Sequence, residues 1–345
     1  DILELLGYPP VNTYQKVIRV LAKQLEYLYN ITVEPYEDNI ISTLYKSKQT
    51  PTIIIDGLDE TRDEEEMIKI VDLIERLSGI AKILITTRAH TIAEKKLEIL
   101  EAEKIRIEPE NPQQMEDIRK YLQKTIRKTE NKEAAIEAIS EAAGGIFLIA
   151  SILAKLYNRE EANIEDIREM AREAAGRMEK YYEAIIRRAF KTEEKIRFAK
   201  TILATISMMM EPISINIIHT AITHEDLYPE AKKREIRQTL DKLGVLLRTA
   251  SPRYTVIHET VSHYAIQEIE ETLSIEPAEF EKIIIDKLME KKGDKEIEEY
   301  LINHATKHYL EIARQQKQEG KNEEANQILR KIIDFVETTI KQNAS

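Results

Sequence analysis

The groups best placed to do chemistry in this chain are acids that directly follow a short apolar run. Ile53, Ile54 and Ile55 predict a short buried β-strand, and Asp56, Asp59 and Glu60 follow at once in the run Asp56-Gly-Leu-Asp-Glu60. In a parallel α/β sheet, ligands gather just beyond the carboxyl ends of the strands. A carboxylate there can hold a Mg²⁺ or orient a water beside a nucleotide phosphate. A second strand is predicted from Lys82, and Arg88 stands at its carboxyl end. His304 and His308 share a helix face at i, i+4, but Ala305 stands where an HExxH site needs glutamate, so no metal site is expected there.

The elements that must position these groups can be read from periodicity. Val17, Leu21, Leu25 and Leu28 form one apolar stripe of a helix over 14–29, and a second helix is expected at about 36–47. After Glu60, the acids from Asp63 to Glu66 suit a helix N-terminus, and Met67, Val71, Ile74 and Leu77 then face the sheet. A short helix near 91–96 precedes a β-like stretch, Lys104 to Ile107. Strand, helix, strand, helix, strand is the order of a parallel sheet. Glu108-Pro-Glu-Asn-Pro112 breaks the pattern and marks a domain boundary. Helices then fill 115–190, interrupted by Gly144-Gly145. From about 193, three helices lead to two short strands, 245–248 and 254–257, joined by a hairpin, which reads as a winged helix. The rest, 258–345, is predicted helical.

Composition narrows the class. The chain has 345 residues, 33% charged and 42% hydrophobic, and its length suits two to four compact units. A net charge of −11 argues against a surface given over to nucleic acid. There is no cysteine, so neither disulfides nor cysteine metal sites exist, which fits a reducing compartment. No apolar run approaches about 18 residues, so no membrane span is expected, and no signal-peptide pattern opens the chain. A cytoplasmic protein is the resulting expectation.

Four features occur in one order: Asp56-Gly-Leu-Asp-Glu60, a strand ending Thr86-Thr-Arg88, Gly144-Gly-Ile-Phe-Leu148 in a helical stretch, and His258-Glu-Thr-Val-Ser-His-Tyr264 after the hairpin. In that order the chain resembles the STAND class of P-loop NTPases, and most its NACHT branch. The resemblance implies a nucleotide-controlled switch that binds ADP or ATP with Mg²⁺ and self-associates on activation, in signalling or defence. It implies an α/β plus all-α fold: a partial parallel P-loop NTPase sheet over 1–110, a small helical domain over 111–192, a winged helix over 193–270 and a second helical domain from 271 to 345. Asp56 resembles the Mg²⁺-coordinating Walker B acid. Asp59 and Glu60 resemble the acids that position or activate the hydrolytic water, and Arg88 the arginine that reads the γ-phosphate. Gly144, Gly145 and Phe147 resemble the loop that packs by the adenine, and His258 the histidine that bonds the β-phosphate of ADP. A proline follows the glycines in the related plant and apoptotic branch; Phe147 stands near that place here, so no proline contact is implied.

The departure from the pattern is that no G-x-x-x-x-G-K-[ST] occurs. The chain is expected to begin just after that loop, and a degenerate domain is the alternative. ATP hydrolysis is accordingly an expectation for the intact protein, whose sensed partner would bind a downstream repeat domain. Each site residue also has a plain structural reading: a strand-to-helix turn for Asp59 and Glu60, a surface arginine, a packed histidine, a helix cap for the glycines. Two other functions stay open. One is a non-catalytic helical scaffold with a relic NTPase fold. The other is a transcription regulator using Lys232, Lys233, Arg234, Arg237 and Lys242 on DNA, against which the surrounding acids argue.

Overall fold

The structure, a computed structural model, describes residues 13–343 apart from Arg62, Asp63, Glu101, Thr129, Ser251 and Lys292. Asp63, expected to open an acidic helix start, lies outside the described residues. The chain divides into two compact units, residues 1–106 and 107–345.

The first unit holds α1 (Tyr14–Tyr29), α2 (Glu37–Ser47), β1 (Thr52–Ile55), a 3₁₀ turn (Leu58–Glu60), α3 (Glu64–Ser78), β2 (Lys82–Ile85) and α4 (Ile92–Leu97). β1 and β2 pair in parallel, from Thr52 opposite Lys82 to Ile55 opposite Ile85. Side chains alternate across a strand, and among the described residues the helices cover one face. Ile53, Ile55, Ile83 and Ile85 pack on the cores built by α1, α2 and α3. Ile54 and Leu84, on the other face, are 66% and 53% exposed. The expectation of a buried strand is therefore corrected to a half-covered one, because burial depends on layers that a single strand cannot declare. The stripe of α1 is also displaced. Ile18, Ala22 and Leu25 are buried, whereas Leu28 is exposed.

No strand forms at 104–107. Ile105 and Ile107 are exposed, and the stretch pairs with no strand among the described residues. Alternation alone makes a strand only where a neighbouring edge takes its hydrogen bonds. Here side chains do the holding: Lys104 and Arg106 reach the Glu94 carboxylate at 2.7 and 3.2 Å. The Lys104 bond and the His90 amide hold that carboxyl down at about 2.

The second unit begins with α5 (Pro112–Thr125), α6 (Lys132–Ala143), α7 (Phe147–Asn158), α8 (Ile164–Ala174) and α9 (Met178–Ala189). It continues with α10 (Glu193–Met208), β3 (Ile213–Ser214), α11 (Ile215–Ile222), α12 (Lys233–Leu243), β4 (Leu247–Ala250) and β5 (Arg253–Val256). It closes with α13 (Glu259–Leu273), α14 (Pro277–Met289), α15 (Lys295–Gln318) and α16 (Asn322–Asn343). One continuous apolar core runs from Ile118 to Ile332. The two expected hairpin strands form, shifted so that Val245 and Leu246 precede β4. β3 was not expected; two residues are too few to show alternation. It lies at the edge of an antiparallel sheet of order β3-β5-β4. No helix among the described residues is long and apolar enough to cross a membrane.

A buried charge cluster fastens α9, α10 and α13. Lys200, only 7% exposed, lies 2.7 Å from Glu183 and 2.6 Å from Glu268. The Tyr264 hydroxyl donates to Glu183 at 2.5 Å. Farther on, the fully buried His308 sits between Glu281 at 2.5 Å and the Tyr300 hydroxyl at 2.7 Å. His308 is thus a satisfied core histidine. The compact group of metal-type donors among the described residues lies elsewhere, at His224, Glu225 and Asp226 in the loop after α11.

Candidate functional site at the strand ends

Asp56, Asp59, Glu60 and Arg88 come together at the carboxyl ends of β1 and β2. The turn after β1 depends on Gly57, whose φ of +68° is costly for other residues. A Cβ there would also press on the Glu60 side chain, 3.0 Å away, so Glu60 folds back over this turn. Thr86 joins the two strand ends. Its hydroxyl accepts from the Gly57 amide at 2.8 Å and donates to Asp56 at 2.5 Å. The Leu58 amide bonds the Thr86 carbonyl at 3.0 Å.

Asp59 and Arg88 form the second half. Asp59 Oδ1 accepts from the Arg88 amide at 3.0 Å and the Thr87 hydroxyl at 3.2 Å, and Oδ2 accepts from Arg88 Nε at 2.5 Å. The Asp59 side chain is 7% exposed and that of Arg88 is 48% exposed. Burial pushes the Asp59 carboxyl up, but the Arg88 amide and guanidinium outweigh it and hold the group below the usual carboxylate range. Asp59 is therefore an anchor that aims Arg88, while Asp56 and Glu60 are exposed.

Thr86 and Thr87 were quoted from the sequence only as the end of the second strand, with no role at the site. The visible signal was their place between the second strand and Arg88; their acceptors lie about thirty residues away in the chain. Thr86→Val should cost about 1 kcal/mol of stability, the ordinary worth of a hydrogen bond, and Thr86→Ser should cost much less. Urea unfolding would measure both, and an unchanged midpoint in the valine variant would discount this bridge.

Asp56 suits Mg²⁺ by the chemistry of its donors. It offers a hard carboxylate oxygen next to a hydroxyl, and Mg²⁺ on a nucleotide takes one or two protein oxygens while phosphates and waters complete its shell. Neither residue builds a cage for a free ion.

The remaining predicted residues lie in the second unit. Gly144, at φ +53°, caps α6, and Gly145, at φ +84°, follows. A Cβ on Gly145 would stand 1.9 Å from the Pro109 carbonyl oxygen, and Gln114 donates to the Gly145 carbonyl at 3.2 Å. Phe147 starts α7, 38% exposed, with its ring 5.9 Å from that of Tyr121. A cleft of about 540 Å³ beside this turn is lined by Pro109, Glu141, Gly144, Ile146, Ile149 and Tyr181. His258 is exposed and caps α13, its Nδ1 accepting from the Thr260 amide at 3.2 Å.

The chain matches no family model and no curated protein.

Two of the cations considered for DNA are engaged within the fold. Lys233 donates to Asn216 at 2.7 Å. Lys242 donates to the Ala189 carbonyl at 3.2 Å and lies over the Phe190 ring.

Proposed function

We propose that this chain is the core of a nucleotide-dependent molecular switch of the STAND class, NACHT-like in type. The observation that carries the reading is the convergence of Asp56, Asp59, Glu60 and Arg88 at the carboxyl ends of two adjacent parallel strands. Ligands of α/β sheets bind at such ends. In this reading Asp56 holds Mg²⁺ beside the phosphates, and Glu60 orients or activates the attacking water. Arg88, held by Asp59, meets phosphate oxygens with a guanidinium that stays charged. When bound, the metal neutralises charge on the phosphate oxygens. The cleft beside Gly144 falls within the size range of small-ligand pockets. His258, at the N-terminus of the fifteen-residue α13, stands where helix amides also favour an anion. We read α10 to α12 with β3, β4 and β5 as a winged helix and α14 to α16 as a second helical domain. ADP would keep the protein closed, and exchange for ATP would drive self-association in a signalling or defence response.

A non-catalytic helical scaffold with a relic NTPase fold is the second reading, and specific contacts favour it. Both Asp59 oxygens are occupied by Arg88 and Thr87, His258 has a capping role, and the Pro109 contact alone accounts for Gly145. Residue by residue, these contacts support the scaffold more directly than they support the switch.

The two readings separate on bound nucleotide. The full-length protein would be purified, denatured, and assayed for what it releases, beside His258→Ala. The switch requires ADP in the first and less in the second. No nucleotide in either, with added ADP also failing to bind, leaves the scaffold. In the same protein Glu60→Gln should slow ATP hydrolysis by about 10²-fold or more, the usual share of a general base. Unchanged hydrolysis would remove Glu60 from the mechanism.

A further inference from the structure

Two neighbouring tyrosines on α9 reach different places in the second unit. The Tyr181 hydroxyl donates to the Ala142 carbonyl beside the Gly144 turn, and Tyr181 lines the cleft there. The fully buried Tyr182 has its hydroxyl 2.7 Å from the Thr260 hydroxyl oxygen. Thr260 then meets His258 twice, through its amide at 3.2 Å and its hydroxyl at 3.0 Å, both on Nδ1.

The proton order along this path follows from what each group can do. An amide N–H only donates, so Nδ1 of His258 accepts and carries no proton. The single proton of the neutral ring then sits on Nε2. Facing a bare nitrogen, the Thr260 hydroxyl donates to it, which leaves its oxygen to accept from Tyr182. With the one Thr260 hydroxyl hydrogen spent on Nδ1, the 2.7 Å contact must be filled by the Tyr182 proton, so that hydroxyl serves as the donor.

We propose that Thr260 and Tyr182 are positioning residues that lock His258 as an Nε2–H donor, the form able to bond an anionic phosphate oxygen, and tie that donor to α9. The ligand named here rests on the switch reading; the tautomer does not. Because α9 also carries Tyr181, one helix joins the His258 donor to the cleft beside Gly144.

The test is nitrogen NMR of the 345-residue chain labelled with ¹⁵N-histidine, at about pH 8.5, two units above the ordinary histidine value. His258→Gln assigns the signal. The wild type should show a bare Nδ1 and a protonated Nε2. Thr260→Val should introduce a measurable share of the other tautomer, and Thr260→Ser should restore the first pattern. Tyr182→Phe removes one atom from a packed site and should give a smaller change in the same direction, which keeps the test decisive if the valine variant folds poorly. A protonated Nδ1 in the wild type, or an unchanged pattern in both Thr260→Val and Tyr182→Phe, overturns the proposal. Nucleotide is not added, so that failure leaves the switch reading to the release assay, and an empty release assay leaves the tautomer lock standing.

Discussion

Lys200→Met should lower the unfolding free energy by about 3 kcal/mol, read from the urea midpoint at neutral pH. The substitution keeps the length and apolar stem of the side chain but removes the cation that Glu183 and Glu268 share, leaving Glu183 to Arg187 at 2.5 Å and stranding Glu268. Uncompensated buried charge typically costs about 3–5 kcal/mol. The lower end applies because those side chains remain 18% and 23% exposed. Adding Glu268→Gln to the variant should recover much of the loss, since Glu183 keeps Arg187 and the stranded charge is that of Glu268. A single variant within about 0.5 kcal/mol of the wild type, the range of ordinary surface substitutions, would mean that water replaces the ammonium freely.

The same cluster sets a pH dependence. Burial pushes the Glu183 carboxyl up, but bonds from Lys200 and Tyr264 outweigh it and the net direction is down. A carboxyl depressed in the folded state adds stability that is present above its ordinary 4.5 and is lost as pH falls through the folded value. For Lys200, burial pulls downward, and the bonds from Glu183 and Glu268 carry the net direction up. Its contribution is complete below the ordinary 10.5 and disappears as pH rises through the folded value. The contribution of this pair should thus be flat between those limits, and Lys200→Met should reduce the alkaline fall, leaving the part that the raised Tyr264 phenol carries.

Gly145→Ala is the second large effect expected, at about 2–4 kcal/mol. Positive φ costs a residue with a Cβ about 1 kcal/mol, and forced overpacking adds about 1–3 more. The contact here is with the Pro109 backbone, which has no rotamer to yield. Gly144→Ala is the control. Its φ of +53° carries the conformational cost, yet nothing lies within 4 Å of the added atom, so about 1 kcal/mol is expected. Equal midpoints for the two variants would show that the Pro109 contact yields. The comparison also protects the functional reading, because loss of nucleotide in Gly145→Ala means little until its loss of stability has been subtracted.

What could be read from the sequence was local. Apolar spacing in Met67, Val71, Ile74 and Leu77 declared a helix, and all four are buried in α3. The run Ile53–Ile55 declared a strand with acids at its end. The partners across the fold stayed out of view. Nothing in residues 56–60 tells that Asp59 will be spent on Arg88, 29 positions on. The role of His258 as a cap for Thr260 was within reach, two residues away, but Tyr182 was not. Exposure of Ile54 and Leu84 was equally hidden, because it depends on which layers lie against the sheet.

The spans of these contacts also bear on the order in which the chain acquires its structure. In the first unit, Ile53 meets Ile83 across a single helix, a short loop to close. In the second, Tyr182 and Thr260 are 78 positions apart, and the Met210 amide bonds the Tyr300 hydroxyl over 90. Contacts so distant along the chain are the slow ones to form. On the ribosome the parallel strand pair can be in place early, while the Met210–Tyr300 bond must wait until residue 300 has been made. Until then the apolar core from Ile118 onward has only part of its cover, so a pause in translation before residue 300 should expose the second unit, more than the first, to proteolysis.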